Sequence, residues 1–219
     1  MRTKPDPRFL AITAHDLRGA IGVLDGATKE LTRDLPTETA DATKLGLMIG
    51  RGTQRLLLLA DRITILAALM DDRDLDLSEQ DLGGIAQQAA ERAFSAHARR
   101  SVRLRVESTP VLLPVHGPSI SGAVSELTAL FCGFSQLEVA VRIAFDPATV
   151  RLTFESDNAS ESVRRALRDR SSVAQAGAAL AFAEVVANRH HGHLDLPGED
   201  AARAAVSLVL PRAVPLTGP

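Results

Sequence analysis

Tryptophan and tyrosine are absent from the 219 residues, and seven phenylalanines are the whole aromatic complement. Single-strand nucleic-acid binders stack bases on aromatic platforms, so that class has little to stand on. The one cysteine, Cys132, cannot form an internal disulfide. Its apolar neighbourhood suits a buried thiol in a reducing compartment. An excess of charge of one sign is also missing: 25 Lys and Arg oppose 27 Asp and Glu, for a formal net charge of −2. The charges are interspersed, which excludes a basic nucleic-acid surface and a like-charge tail. Long apolar runs are lacking too, because Leu56 to Met70 is interrupted by Asp61 and Arg62 and is too short to span a bilayer. Met1 to Arg8 carries charge and two prolines, and the apolar stretch after it is broken by His15 and Asp16, so a signal-peptide core is missing. The expectation is a cytoplasmic protein with no nucleic-acid and no membrane partner.

What is present is an apolar fraction of 45%, enough for a sizeable core. The first seventy residues carry two seams with alternating spacings of four and three. The first runs Leu10, Ala14, Leu17, Ile21, Leu24, Thr28, Leu31, Leu35, and the second Leu45, Ile49, Gly52, Leu56, Leu59, Ile63, Leu66, Met70. Pro36 breaks the first helix and Thr37 can cap the second, which predicts an antiparallel helical hairpin. The second helix has further apolar residues off its seam, at Leu47, Met48, Leu57, Leu58, Ile65 and Leu69. That width needs another partner. A second copy, giving a homodimeric four-helix bundle, is the economical solution, and packing on the C-terminal half of the same chain is the alternative.

The acidic segment Asp71 to Asp76 marks a boundary, dividing the chain into a hairpin domain, 1–72, and a second domain, 77–219. After it the pattern is mixed. Helices are expected at Gly84 to Ala98, Pro118 to Phe134 and about Ala174 to Arg189, with strands at Val102 to Glu107, Leu137 to Phe145, Val150 to Glu155, His193 to Leu196 and Ala204 to Leu210. The fold class is therefore α+β, a helical hairpin followed by a two-layer α/β sandwich.

Chemistry concentrates at His15. The residues that share its helix face are Gly19, Gly22 and Gly26, each costing about 1 kcal/mol against alanine in a helix interior. A shallow groove beside the imidazole, open to another protein's backbone, would offset that cost; a kink or a close helix contact is the other explanation. An imidazole that titrates near neutrality is a nucleophile or proton shuttle, and Asp16 can orient it or take its proton. His190, His191 and His193 lack a cysteine or a well-spaced acidic ligand, so a helix end is expected there, not a metal site.

Thr13-Ala14-His15-Asp16-Leu17-Arg18-Gly19-Ala20-Ile21 resembles the phospho-accepting box of bacterial sensor histidine kinases, carried on a dimerisation and histidine-phosphotransfer hairpin. The resemblance continues into the second domain, which is similar to the family's ATP-binding domain: Gly177 to Leu194 looks like the helix with the second glycine box, and Val206 to Pro211 like the terminal strand. It covers nearly the whole chain, and it implies a magnesium-binding asparagine where this sequence has Leu130, although Glu126 fits the other polar position. It implies glycines where Ala159, Glu161 and Ala179 stand, while Asp157 and Gly177 are kept. Added side chains obstruct backbone amides that would cradle phosphate. The segment from Ser162 to Gln175 is short for a nucleotide lid. Gly19 replaces the Thr or Asn often found in members with phosphatase activity.

The resemblance therefore implies a dimeric histidine phosphotransferase with a degenerate ATPase-like domain, relaying phosphate between receiver-domain aspartates through His15, Asp16 and Arg18. Autokinase activity and a cofactor of its own are not expected; magnesium would sit on the partner, a response-regulator receiver domain. Two alternatives remain: a divergent histidine kinase that still uses ATP, and a non-catalytic regulator that binds a receiver or a kinase.

Overall fold

Alternation builds the sheet. In β4 (Glu138–Phe145) the buried face is Val139, Val141 and Ile143, and in β5 (Thr149–Ser156) it is Val150, Leu152 and Phe154, with Arg151, Thr153 and Glu155 between them on the other face. The two are antiparallel and joined at 146–148, where the Asp146 carboxylate accepts the Ala148 and Thr149 backbone N–H groups at 2.7 Å each. Such an Asx turn favours a chain reversal between the two strands expected on either side of it.

The structure, a computed structural model, describes residues 19, 21–27, 29, 39–70, 75–97, 101–158, 160–168, 174–197 and 203–212. His15, Asp16, Arg18 and Thr37 lie outside them. The five-stranded sheet has the order β2 (Arg103–Glu107), β4, β5, β7 (Ala204–Pro211), β6 (His193–Asp195). Among the described strands only the β2–β4 pair is parallel; its crossover carries β3 (Leu112–Val115) and a helix.

Helices α2 (Leu82–His97), α3 (Gly117–Phe134) and α5 (Ala174–Arg189) share one hydrophobic core with the sheet's inner face, the two-layer arrangement expected. Ala86, Ala89, Ala90 and Ala93 are fully buried along α2, and side chains that small let it lie close to its neighbours. Phe131 of α3 and Phe154 of β5 meet across the layers with ring centroids 6.4 Å apart. Cys132 is buried, and desolvation pushes its thiol up to about 12, so it packs and does not react.

Three elements were not expected. The strand β1 (Ser78–Asp81) pairs with β3 in a separate two-stranded sheet. Neither shows an apolar alternation, and Pro114 reads against a strand, which it can join only at an edge. The third is α4 (Glu161–Arg168), which fills much of the presumed lid and buries Val163, Ala166 and Leu167.

The hairpin's second helix, α1, runs Thr39–Met70. At its far end Ile65 and Leu69 are buried within the core of the sheet domain. Part of the off-seam surface thus packs on its own chain, while Leu47 and Leu57 stay 53% and 57% exposed. Residues 21–27 are helical, and Leu24 lies over Gly52, where a Cβ would come within 2.9 Å of the leucine. Both residues belong to the two seams read from the sequence.

Candidate functional site

Two places carry candidate chemistry: the glycine face on the first helical stretch, and the region of α3, 156–161 and α5 where the resemblance implies a nucleotide site. On the first, Gly19, Gly22 and Gly26 are exposed, and a Cβ on any of them would meet nothing within 4 Å. Leu24 faces α1, so these glycines are not the side that packs on Gly52. The other predicted site residues, His15, Asp16 and Arg18, lie outside the described residues.

On the second, α3 presents a stripe at fourfold spacing: Gly122, Glu126, Leu130. On α1 a matching stripe at spacings of three and four is Arg62, Ile65, Leu69. A Cβ on Gly122 would come within 2.6 Å of Ile65 Cδ1 and 3.2 Å of Phe182, so the glycine permits the close approach of α1. One turn on, Arg62 donates to Glu126 as a two-pronged fork, Nε to Oε1 at 2.6 Å and a terminal nitrogen to Oε2. Both side chains are largely out of water, at 7% and 14% exposure. Leu130 is buried in the core and has no ligating atom.

Asp157 is engaged as well. Its two oxygens accept the Gln136 and Leu137 backbone N–H groups at 2.9 Å, capping the chain just after α3. Desolvation works to raise its carboxyl, but the backbone groups of 136 to 138 outweigh it and hold it below the usual range. Asn158 adds a stitch, its side chain donating to the Phe134 carbonyl oxygen at 3.2 Å. Glu161 opens α4 and pairs with Arg164 at 3.0 Å and with Arg168. At the start of α5, Ala178 and Ala179 turn into the core at 5% and 2% exposure.

The histidines at the other end of α5 form a helix terminus. His190 Nδ1 lies 2.8 Å from the Val186 carbonyl oxygen, and its Nε2 accepts the His116 backbone N–H at 3.0 Å. Both nitrogens are used, which fixes the neutral tautomer. Burial lowers its pKa and nearby His116, His191 and Arg189 add to that, against the Val186 bond. His191 has a φ of 59°, and the His191 and Gly192 N–H groups return to the Asn188 and Ala187 carbonyls, a Schellman motif. Gly192 is required because a Cβ there would collide with the Val209 carbonyl oxygen. Among the described residues no three His, Cys, Asp or Glu side chains gather to hold a metal.

A magnesium–nucleotide complex needs free carboxylate or amide oxygens and open backbone amides. The donor set does not fit that need: one position is leucine, one carboxylate is held by a guanidinium, and another caps backbone.

No family model and no curated protein matches the chain. Solved structures do. The chain is similar to the Acinetobacter baumannii histidine kinase AdeS, at 12% identity and a TM-score of 0.56 over 91% of this chain and 98% of that one. It is likewise similar to a histidine kinase from Burkholderia phymatum STM815, at 16% identity and a TM-score of 0.53 over 92% and 98%. At these identities the likeness shows a shared sheet-plus-helix fold. No helix among the described residues is long and apolar enough to cross a membrane.

Proposed function

We propose that the chain is a dimeric histidine phosphotransferase that relays a phosphoryl group between receiver-domain aspartates and does not bind ATP. The observation that carries this reading is the seating of Arg62 on Glu126, with Leu130 one turn further along the same stripe. The polar positions that a kinase of this fold would turn toward magnesium are here a salt bridge to the hairpin and a piece of core. A histidine that its own domain cannot load must receive phosphate from outside.

The transfer is chemically simple. A nitrogen of the His15 imidazole attacks phosphorus in line, a P–N bond forms, the P–O bond to the receiver aspartate breaks, and that carboxylate leaves. Asp16 takes the proton released from the ring, and Arg18 meets the charge on the phosphoryl oxygens. The reverse sequence delivers the group to a second receiver. Positioning and charge stabilisation account for most of the catalysis in phosphoryl transfer, so a groove that seats the receiver and a metal ion that the receiver brings suffice. The open face at Gly19, Gly22 and Gly26 suits that docking, since a Cβ at any of them meets nothing within 4 Å among the described residues. The exposed Leu47, Leu57 and Ile63 give a second copy of the hairpin apolar surface to cover.

Retention of Asp157 and Gly177 is what favours the competing reading, a divergent kinase. Calorimetric titration with Mg²⁺-ATP separates the two: no saturable binding is expected, and clear affinity overturns the proposal. A purely regulatory binder is separated by His15→Ala in cells, which abolishes signalling under phosphotransfer and leaves it intact under occupancy alone.

A further inference from the structure

We propose that His190 is a proton-operated latch: in its neutral form it ties the end of α5 to the start of α3, and protonation of its ring releases the start of α3 while the five-stranded sheet stays folded. This stands on the junction alone and does not depend on the chemistry of His15.

The start of α3 lacks an ordinary cap. Helices commonly open on a Ser, Thr, Asp or Asn whose side chain accepts a free N–H of the first turn. The residue that opens α3 is His116, whose side chain caps nothing, and Pro118 follows in the first turn. That turn hangs on the His116 backbone instead: the carbonyl oxygen accepts the Ser119 and Ile120 N–H groups at 3.1 and 3.2 Å and the Ser119 hydroxyl at 2.9 Å. The His116 N–H in turn donates to His190 Nε2 at 3.0 Å. One bond to a ring 74 residues away thus seats the residue on which the helix begins.

The bond exists only while Nε2 is a bare nitrogen. With Nδ1 facing the Val186 carbonyl oxygen at 2.8 Å, the single proton of the neutral ring sits on Nδ1 and the Nε2 lone pair is the acceptor. A second proton, taken from solvent, goes to Nε2 and meets the His116 N–H, donor against donor. It also places a cation out of water, at 3% exposure, against the positive N-terminal end of α3. The Schellman motif at 190–192 and the Val209 carbonyl oxygen behind Gly192 hold the backbone of the ring's own side. His116 is only half-buried and Pro118 is exposed, so the start of α3 is the side that yields.

Most of the surroundings oppose the cation. Desolvation is the largest effect, and His116 from the start of α3 and His191 and Arg189 from the end of α5 share its sign, against the Val186 bond. Beyond Gly192, His193 pairs with Asp195 at 3.1 Å. From the side of β3, the adjoining β1 lays Gln80 over Gly117 and carries Glu79 and Asp81, the second of which accepts the Gly83 and Val111 N–H groups.

The test follows the full chain, labelled with ¹⁵N, by nuclear magnetic resonance as pH is lowered from neutrality. The His190 ring nitrogens report its protonation, and amide exchange, corrected for its intrinsic pH dependence, reports local opening. Protection at His116, Ser119 and Ile120 is expected to fall about tenfold or more as His190 titrates, while the amides of β4 and β5 keep theirs. Constant protection through the titration overturns the proposal, and so does a loss shared equally by β4 and β5, which is unfolding and not release. His190→Gln cannot titrate and should abolish the step; a step that survives belongs to another group and overturns the latch. If that variant does not fold, His116→Ala combined with His191→Asn, a residue that tolerates the φ of 59°, decides. The step persists there if His190 carries it, and its disappearance overturns the proposal.

Discussion

The N-terminal helices and the sheet domain differ in how far they bury their apolar side chains. In the domain, Phe131, Phe154 and Phe182 are fully buried and the open sheet face is polar, with Arg142 bridging Glu107 at 3.1 Å and Glu155 at 2.7 Å. In the hairpin, Ile21, Leu47, Leu57 and Ile63 are each about half exposed. The domain completes its own core from one chain. Among the described residues, α1 joins the domain core at Ile65 and Leu69; Ala27, Leu45 and Leu59 are buried outside that cluster, and Leu47, Leu57 and Ile63 are left exposed. Within the domain, Glu126 is held by Arg62 and Asp157 by the Gln136 and Leu137 backbone N–H groups, the two engagements on which the proposed loss of a nucleotide site rests. The exposed apolar residues of α1 and the open glycines at 19, 22 and 26 are the surfaces on which the proposed self-association and docking rest.

Mutations sharpen that contrast. The largest effect belongs in the domain core: Phe154→Ala, at a fully buried ring, is expected to cost about 3–5 kcal/mol in denaturant unfolding. Gly192→Ala, which drives a Cβ into the Val209 carbonyl oxygen, should cost roughly 2 kcal/mol by the same measurement. Acid should also strike the domain. Because His190 titrates lower when folded than the ordinary value near 6.5, its contribution is fully present above that pH and is lost as pH falls through the folded value, so the thermal midpoint drops on acidification. A His190→Asn variant should show a flatter profile. Asp157→Ala, which uncaps two amides, is expected to lose about 1 kcal/mol. Smallest is Leu57→Ala, at an exposed site, which should change unfolding of the domain by less than about 0.5 kcal/mol yet weaken self-association in sedimentation. An equal cost for Phe154→Ala and Leu57→Ala would break the comparison.

Much of the domain is legible in the sequence because its signals are local. The period-two runs of β4 and β5, the Asp146 turn, and the helix end at His190 to Gly192 appear where alternation and turn chemistry put them. What escapes has no such signal. Ser78 to Asp81 has no apolar residue to alternate, and its strand exists because β3 lies beside it. Glu161 to Arg168 is only eight residues long, with Val163, Ala166 and Leu167 as its sole apolar face. At the candidate site, Leu130 and Ala179 already read as obstacles, and burial in the core gives the reason. The Arg62–Glu126 pair was beyond reach, because Arg62 reads as an interruption of an apolar block and Glu126 as a polar helix position, with nothing local to join them.

The central claim is most directly tested by phosphoryl transfer to His15. The full-length protein is mixed with a receiver domain carrying labelled phospho-aspartate, with Mg²⁺ and no ATP, and in a parallel reaction with labelled Mg²⁺-ATP and no receiver. The account predicts acid-labile label on the protein in the first reaction, absent from His15→Ala, and none in the second. Label from ATP but not from any phosphorylated receiver would contradict it.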